Sequence, residues 1–375
     1  MPHSWVEISK SALRHNATEI RSLLDPSVKL MVAVKANAYG HGLVQTAQSI
    51  DDLVDGLAVV NLDEARQLRE AGINNTILVL GYYEETEEAL DWASQERIEL
   101  PVTSLEQAKK IVGRLNKNTL RVHIKVDTGM GRSGILYSDA AETIKRIAEL
   151  PGLNIRGVFS HLPDIVDHEA YTRRQLSLFS DIKFQLYRDK IDPPLWHIAK
   201  TSAILTLPES HHNAVRLGIG LYGLWSDDRL PNRVAKIHPD FTLRPALSWK
   251  ARVVQVKDYP KDHHIGYGCT YTTKRETRVA VIASGYYEGM DRRMSNNGNV
   301  LIRGNRCPIV GRICMNMTMI DVSGVDHARE GDEATIIGVD GADEITVDEI
   351  AESISTINYE VITRINPRLE RIIIH

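Results

Sequence analysis

A single lysine, Lys35, closes the apolar run "MVAV" that begins at Met31, and the segment "ANAYGHG" follows it. A charged side chain at the end of a buried strand is partly removed from water, which disfavours its ammonium form. The free amine of such a lysine can form a Schiff base with an aldehyde. The alternative is a lysine whose side chain reaches from the strand end to solvent. Lys35 is therefore the first candidate for covalent chemistry.

Two further apolar runs end in residues suited to binding an anion. "RLGIGLYG" places Arg216 before Gly218 and Ile219, whose backbone N–H groups can approach an anion closely. A purely structural turn is the other explanation of this segment. "KTSAIL" contributes the hydroxyl groups of Thr201 and Ser202, which would otherwise cap a helix.

A third charged segment is "KVDTGMGRSG", where Lys125, Asp127 and Arg132 surround a glycine-rich loop. Such a density of charge directly after an apolar run exceeds what packing requires. The segment is a candidate for binding a charged ligand.

These residues follow apolar runs that alternate with amphipathic segments along the first two thirds of the chain. Eight strand-like runs are present: "LMVAVKA", "GLAVV", "NTILVLG", "RIELPV", "LRVHIKVDT", "NIRGVFSHL", "PLWHIA" and "AVRLGI". Segments such as "LDEARQLREAG" and "SLEQAKKIVGRL" between them repeat apolar residues every three or four positions, as helices do. The alternation predicts a (β/α)8 barrel, with an open doubly wound sheet as the alternative. The functional side chains would then collect at the C-terminal ends of the barrel strands.

The pattern changes after "GLYG". The polar stretch 226–240 is interpreted as a linker, and strand-like runs such as "LSWKARVVQVKDY" and "DEATIIG" follow it. We predict an N-terminal strand over 1–10 that joins a mainly β C-terminal domain, a barrel over 11–235 and that β domain over 236–375.

Composition excludes several other classes. The chain has 375 residues and a formal charge of -4, with no basic tract that would follow a phosphate backbone, so nucleic acid is not an expected partner. No apolar run is long enough to span a bilayer, and the start "MPHSWVEISK" lacks a secretory signal, so no membrane association and a cytoplasmic location are expected. Three cysteines without a CxxC pair indicate neither a disulfide framework nor a metal site.

Together these segments resemble the alanine racemase family, enzymes of fold type III that use pyridoxal 5'-phosphate (PLP). The resemblance covers nearly the whole chain, from "WVEISKSALRHN" to "INYEVITRINPR". It is carried by "AVKANAYGHG", "KVDTGMGR", "RLGIGLYG", "GYGCTY", "PIVGRICM" and "INYE", in the family order and at comparable spacing.

The resemblance implies a set of cofactor-binding residues. Lys35 would hold PLP covalently, and Arg216 would face the pyridine nitrogen, which a guanidinium does not protonate. His161 and His197 would lie near the ring and its arginine, although each could also be a core histidine with satisfied hydrogen bonds. The residues implied around the phosphate are Tyr39, Ser202, Gly218, Ile219 and Tyr359.

A racemase also needs a base on the opposite face of the substrate Cα. In the family this base is the tyrosine of the "GYG" motif, which corresponds to Tyr267. Free tyrosine has a pKa of ~10, so a base role requires a positive neighbour, and the resemblance suggests Arg292 or Arg293. In the family this tyrosine reaches the opposite face of Cα because the protein is a head-to-tail homodimer, in which each barrel receives the partner's tyrosine.

The resemblance places the substrate carboxylate near Arg132 and the backbone of Met315. The family lysine that matches Lys125 is often carbamylated, and the carbamate then holds the arginine in place. Tyr286 and Arg312 match residues that line a narrow entrance.

The chain departs from the family pattern at several positions. Lys200 stands where asparagine is common, Asn316 replaces the aspartate usual after "CM", and "SHLPDIVD" and "GYYEG" replace a segment with shorter side chains and "GYADG". These changes touch the entrance and the rim of the site, so we expect them to affect substrate breadth and rate rather than reaction type.

The sequence therefore predicts an isomerase that interconverts L- and D-alanine by a two-base mechanism, which the resemblance connects with D-alanine for peptidoglycan. The alternatives are a racemase of serine or other small amino acids, a fold type III decarboxylase and a non-catalytic PLP carrier. The β domain with "GYGCTY" and "GRICM" argues against a carrier.

Overall fold

Residues 2–116 and 118–375 are described by the computed structural model, with strands and helices alternating through the first two thirds of the chain. The strands are β1 (Ser4–Ser9), β2 (Lys29–Ala33), β3 (Gly56–Val59), β4 (Thr76–Val79), β5 (Glu99–Val102), β6 (Leu120–Asp127), β7 (Ile135–Leu136), β8 (Leu153–Phe159), β9 (Leu195–His197), β10 (Ala214–Leu217), β11 (Leu247–Tyr259), β12 (His264–Ile265), β13 (Tyr271–Thr272), β14 (Thr277–Ile282), β15 (Asn299–Ile302), β16 (Asn305–Pro308), β17 (Thr318–Asp321), β18 (Glu333–Asp340), β19 (Asp343–Ile345) and β20 (Glu370–Ile374). The helices are α1 (Lys10–Ser22), α2 (Lys35–Tyr39), α3 (Leu43–Ile50), α4 (Leu62–Glu70), α5 (Glu87–Gln95), α6 (Leu105–Val112), α7 (Ala140–Ala148), α8 (Glu169–Arg188), α9 (Thr201–Thr206), α10 (Leu230–Ile237), α11 (Val347–Ser353) and α12 (Asn358–Thr363).

The eight predicted runs of the first two thirds form one parallel sheet in the order β10-β2-β3-β4-β5-β6-β8-β9. The first of these strands, β2, thus lies beside the last, β10, whereas a doubly wound sheet would change direction part-way through its order. The backbone N–H of Arg216 donates to the carbonyl of Ala199 at 3.0 Å and links β10 to the segment after β9. The predicted (β/α)8 barrel is confirmed, and the open-sheet alternative is wrong.

Helix α6 illustrates how the local sequence forms the outer layer of the barrel. Ser104 caps the helix by accepting the backbone N–H of Gln107 at 3.0 Å. Leu105, Ala108 and Ile111 are buried at a spacing of three residues, which gives the helix one apolar face toward the sheet. Over the described residues, every helix is too short or too polar to cross a membrane.

The chain divides into two compact units. The barrel unit comprises Ala12–Ala36 and Thr46–Arg244, and the β unit comprises residues up to Ser11, Asn37–Gln45 and Pro245–His375. Asn37–Gln45, which the sequence-based boundaries assign to the barrel, belongs to the β unit.

The β unit is built around the 13-residue strand β11. Its main sheet has the order β16-β15-β18-β11-β1-β20, and β14 pairs with β11 and with β17. Strand β1 runs antiparallel to β11 and parallel to β20. The first strand of the chain therefore lies in the interior of this sheet, between two strands from the C-terminal third.

Part of the polar stretch 226–240 is helical, so its interpretation as a linker is wrong for α10. Leu230 and Val234, four residues apart, are the buried residues of this helix, and Pro231 lies in its first turn. Polar residues outnumber apolar ones over 226–240 as a whole, which is why composition alone indicated a linker.

Candidate active site

Lys35 lies two residues after the end of β2, at the C-terminal mouth of the barrel where the parallel strands all end. Its side chain is half-buried, and burial together with the charge of Arg132 lowers the pKa of its amine. A lower pKa increases the fraction of free amine at neutral pH. Lys35 therefore has the environment of a nucleophilic lysine rather than of one that extends to solvent.

The four residues after Lys35 form a left-handed turn, which sequence reasoning missed. Ala36, Asn37, Ala38 and Tyr39 have φ values of 54°, 54°, 52° and 53°. A left-handed residue with a side chain costs roughly 1–2 kcal/mol, so four in succession need support from their surroundings. Asn37 supplies part of it, because its side-chain oxygen accepts the backbone N–H of Leu43 at 2.9 Å. Backbone strain directly beside Lys35 is consistent with a functional site.

Arg216 is buried in the barrel with its terminal nitrogens held by strand ends. Nη2 donates to the carbonyl oxygen of Ser160 at 2.6 Å, and Nη1 donates to the carbonyl oxygen of His197 at 2.9 Å and to Nδ1 of the same histidine. Burial and the charge of Arg132 lower the pKa of Arg216 to about 9. The guanidinium still carries its proton at neutral pH, in a fixed orientation.

The loop after β6 is organised by Asp127. Its carboxylate accepts the backbone N–H groups of Gly129, Met130 and Gly131 at 2.8 to 3.0 Å. Burial would raise the pKa of this carboxyl, but these hydrogen bonds bring it below its ordinary value. Asp127 therefore stays ionised and shapes the loop that presents Arg132.

Lys125 lies at the base of the same loop. It is only 6% exposed, and its amine donates to Ser133 Oγ at 2.7 Å. Burial and the charges of Arg132 and Arg216 lower the pKa of Lys125 to about 8. A larger fraction of this lysine than of an ordinary one is thus an uncharged, reactive amine near neutral pH.

Five of the predicted residues of the barrel unit lie close enough for their charges to interact. The charges of Arg132 and Arg216 reach Lys35, Lys125 and His161, and after burial they contribute to a lower pKa at all three. Such a concentration of positive charge is unfavourable unless anions neutralise it. The mouth of the barrel is therefore suited to a ligand that carries several negative charges.

The hydroxyl groups of "KTSAIL" do not cap α9, whose N-cap residue is Lys200 and makes no side-chain capping bond. Thr201 Oγ1 accepts the backbone N–H of Gly218 at 3.0 Å and so holds the turn that carries Gly218 and Ile219. Ser202 is 2% exposed, and its Oγ has no hydrogen-bond partner among residues 2–116 and 118–375. A buried hydroxyl without a partner is costly, which points to a ligand group that bonds to it.

Tyr39 and Tyr359 lie together in the β unit, with ring centroids 6.0 Å apart. Burial raises the pKa of Tyr39 to about 12, so its hydroxyl stays protonated and can donate to an anion. Arg371 donates to the carbonyl oxygen of Gly40 from Nε at 3.2 Å and from Nη2 at 3.0 Å, which fixes the segment after Tyr39.

Tyr267 forms a short turn between Gly266 and Gly268 and is 70% exposed. The guanidinium of Arg312 lies against this turn, since a Cβ atom on Gly268 would be 3.0 Å from its Nη1. Arg293, one of the two predicted neighbours of Tyr267, is instead bound to Asp291 and to the carbonyl of Ile354. Arg292, the other, lines a surface pocket together with Tyr286. Arg312, predicted only as an entrance residue, also lies beside the tyrosine turn.

The segments that carry Tyr286 and Met315 are bound to each other in the β unit. The backbone N–H of Tyr286 donates to the carbonyl of Cys314 at 3.0 Å, and that of Tyr287 donates to the carbonyl of Met315 at 2.8 Å. A Cβ atom on Gly285 would be 2.3 Å from the oxygen of Cys314, so only glycine allows this close approach.

A side-chain contact that sequence reasoning missed joins the same two segments. Asn316 Nδ2 donates to Glu288 Oε1 at 2.9 Å, and Glu288 Oε2 accepts the backbone N–H of Gly285 at 2.9 Å. One carboxylate therefore connects the turn beside Met315 to the turn beside Tyr286.

Both parts of the chain match domains of one known protein family. Residues 8–226 match the alanine racemase N-terminal domain, and residues 246–373 match the alanine racemase C-terminal domain. The chain belongs to the alanine racemase family.

Relatives in this family match the chain over its whole length. An alanine racemase of Methanococcus maripaludis is 42% identical over 99% of this chain and 98% of its own, and one of Leptospira interrogans is 36% identical over 99% and 96%. Among solved structures, an alanine racemase of Bacillus anthracis with bound L-Ala-P has a TM-score of 0.91 at 35% identity, covering 100% of this chain and 96% of that chain. An alanine racemase of Clostridium difficile has a TM-score of 0.93 at 32% identity, with the same coverage.

The contact between Glu288 and Asn316 joins two of the departures from the alanine racemase family pattern. We expect Asn316→Asp alone to lower the kcat/KM for alanine about fivefold, or ~1 kcal/mol, because two carboxylates then replace a hydrogen bond. Repulsion raises the pKa of one carboxyl, so the loss should be largest at high pH and fade as that group is protonated. Steady-state kinetics with alanine and with serine across pH measure the effect.

The matched control is the double variant Glu288→Gln with Asn316→Asp, which reverses the direction of the hydrogen bond and keeps both shapes. Its kcat/KM should return close to that of the unmodified protein. A double variant as impaired as Asn316→Asp would show that this contact does not hold the Met315 turn.

Proposed function

We propose that this protein interconverts L- and D-alanine with PLP as its cofactor. The observation that carries the proposal is Lys35, a half-buried amine of lowered pKa at the barrel mouth, within reach of the charges of Arg132 and Arg216. Its membership of the alanine racemase family supports the same reaction. Racemases of serine or other small amino acids are the second candidate, because several departures from the family pattern lie at the rim of the site.

The residues present fit the chemical groups of PLP, which are an aldehyde, a pyridine nitrogen and a phosphate. The amine of Lys35 would bind the aldehyde carbon, and the guanidinium of Arg216 would face the ring nitrogen. The unpartnered hydroxyl of Ser202 and the protonated hydroxyl of Tyr39 suit the phosphate. The other groups expected around the cofactor are His161, His197, Gly218, Ile219 and Tyr359.

When bound, PLP withdraws electrons from the substrate Cα and so makes its proton removable. Arg216 keeps its own proton, because its pKa of about 9 lies above neutral pH. It would therefore donate a hydrogen bond to the ring nitrogen without protonating it, and this would limit electron withdrawal. Rapid return of a proton to Cα is then favoured over side reactions.

Racemisation requires one base on each face of Cα. The amine of Lys35 would take or return the proton on one face, and the phenol oxygen of Tyr267 would do so on the other. The guanidinium of Arg312 beside the Tyr267 turn would stabilise the phenolate. Two fixed bases avoid any rotation of the substrate between the two proton transfers.

We infer that two copies of the chain complete each site, as a head-to-tail homodimer. Tyr267 is 70% exposed, and large apolar side chains of the same unit are exposed as well. These are Tyr286, Tyr287, Met315, Met317 and Ile357. A catalytic tyrosine and its apolar neighbours require a cover that excludes water, and the barrel mouth of a second copy would supply it.

The substrate carboxylate would bind between the guanidinium of Arg132 and the backbone of Met315. Lys125 would hold Arg132 after reacting with carbon dioxide, a reaction in which the amine forms an N–C bond and releases a proton. Its pKa of about 8 makes the required free amine available near neutral pH. The resulting carbamate would pair with Arg132 and add a negative charge to the crowded, positively charged mouth.

The experiment that tests the proposal is incubation of the purified, PLP-loaded protein with L-alanine, followed by chiral separation of the products. We expect D-alanine to accumulate until the two enantiomers are equal. A PLP carrier would give no product, and a decarboxylase would release carbon dioxide from a basic or acidic amino acid instead. Parallel incubations with L-serine and other small amino acids decide the substrate range.

A further inference from the structure

A buried chain of hydrogen bonds crosses the interior of the barrel from Arg216 to Glu99. Arg216 on β10 contacts His197 Nδ1 on β9, and His197 Nε2 lies 2.9 Å from Nδ1 of His123 on β6. His123 Nε2 then lies 2.7 Å from Glu99 Oε2 on β5. All four residues are at most 6% exposed. The chain thus joins four strands of the barrel by side chains alone.

The position of every proton in this hydrogen-bonded chain follows from the two residues at its ends, Arg216 and Glu99. A guanidinium can only donate, so His197 Nδ1 must accept and the proton of His197 must be on Nε2. That proton points at His123 Nδ1, which must accept, so the proton of His123 is also on Nε2. It is donated to Glu99, and an ionised carboxylate can only accept. Both imidazoles are therefore neutral and of one tautomer.

The charges at the two ends agree with this assignment. Burial, and then the charge of Arg216, lowers the pKa of His197 well below its ordinary value, which keeps this imidazole neutral. Burial would raise the pKa of Glu99, but the hydrogen bond that it accepts from His123 is enough to bring it below its ordinary value. A negative charge at one end thus faces the positive charge of Arg216 at the other.

We propose that Glu99 and His123 are positioning residues that hold the guanidinium of Arg216 in its catalytic orientation through a hydrogen-bonded chain of fixed proton direction. The proposal rests on the function proposed above, in which Arg216 faces the ring nitrogen of the cofactor. Because Glu99 can only accept a hydrogen bond, it prevents the two imidazoles from reversing the direction of their hydrogen bonds. If they reversed, His197 would present a proton to Arg216, and two donors would repel each other.

Gly157 on β8 has no side chain and so leaves room for the imidazole of His123 in this hydrogen-bonded chain. A Cβ atom at this position would be 2.5 Å from His123 Nδ1 and 2.7 Å from His123 Cε1. Alanine here would displace the imidazole of His123 from its present position without changing any ionisable group. Gly157→Ala is therefore a steric probe of the chain that is independent of the charge on Glu99.

The first test is neutron diffraction of the unmodified holoenzyme, because it locates hydrogen or deuterium atoms directly. We expect a proton on Nε2 of both His123 and His197, and none on either Nδ1. A proton on Nδ1 of either residue would overturn the assigned direction. This result does not depend on any reaction, so it separates the inference from the proposed function, which the alanine assay decides.

The second test measures kcat and KM for L-alanine in Glu99→Gln and Gly157→Ala, per cofactor-bearing site counted after borohydride reduction. Glutamine can donate as well as accept, so it no longer forces one tautomer. We expect kcat to fall about tenfold in each variant with KM within about twofold, as is usual when an outer partner that orients an imidazole is removed. Counting the sites excludes a loss that comes only from unfolded protein.

The matched control is Arg156→Gln. Arg156 Nε lies 3.6 Å from Glu99 Oε1, the oxygen that does not bind His123, and Arg156 is not part of the hydrogen-bonded chain. It should keep the kcat of the unmodified protein. Unchanged kcat in both Glu99→Gln and Gly157→Ala would overturn the positioning role, as would an equal loss in Arg156→Gln.

Discussion

Lys35→Ala is expected to lower racemisation of alanine by about 10⁴-fold or more and to remove the covalent bond to PLP. In the proposed mechanism this one substitution takes away both the amine that would bind the cofactor and the base on one face of Cα, and a positioned base alone contributes up to about 10⁴-fold. Borohydride reduction followed by mass spectrometry measures the covalent bond, and production of D-alanine measures the activity.

Lys29→Ala is the matched control, because Lys29 lies at the opposite end of the same strand, β2. Its amine is paired with Asp55 at 3.0 Å, and its side chain is 55% exposed. This variant should retain both the adduct and the activity. A PLP adduct that survives borohydride trapping in Lys35→Ala would assign the covalent bond to another lysine.

Mixing two inactive variants is expected to restore activity if each site combines Lys35 of one copy with Tyr267 of the other. Lys35→Ala and Tyr267→Phe homodimers each lack one base in both sites. A mixed dimer has one site with both bases and one site with neither. Random reassortment after unfolding and refolding should make about half of the dimers mixed, so activity should recover to roughly a quarter of the unmodified level.

The control mixture combines Lys35→Ala with the double variant that carries Lys35→Ala and Tyr267→Phe. No dimer in this mixture contains Lys35, so no activity should return whatever the arrangement of the sites. If Tyr267 serves the barrel of its own chain, the first mixture would also stay inactive, and the composite site would be disproved.

Much of the barrel could be predicted from the sequence because its signals are local. An apolar run such as "LRVHIKVD" forms a strand wherever helices flank it, and parallel strands must end at one mouth. Lys35, Lys125 and Arg216 could therefore be assigned to that mouth from their positions at or near strand ends. The family resemblance added Tyr267, which no periodicity would have selected, since its turn has no distinctive composition apart from two glycines.

Features that depend on contacts between residues distant in the sequence could not be predicted from the sequence. The helix α10 was missed because two apolar residues, Leu230 and Val234, define its buried face within a polar stretch. The left-handed turn after Lys35 was missed because local propensity disfavours it in Ala36 and Tyr39, and only contacts elsewhere can hold it.

The sequence by itself determined the order of the barrel strands and the strand ends that carry the reactive groups. Hydrophobic periodicity is a local property, so it can be recognised within short segments of the sequence. Only the tertiary structure decided which polar groups meet. Glu99 and His123 are 24 residues apart, and His123 and His197 are 74 residues apart. Glu288 and Asn316 are 28 residues apart and meet only because two turns of the β unit bind each other. Such contacts depend on the register and curvature of whole sheets, and no short segment of the chain contains that information.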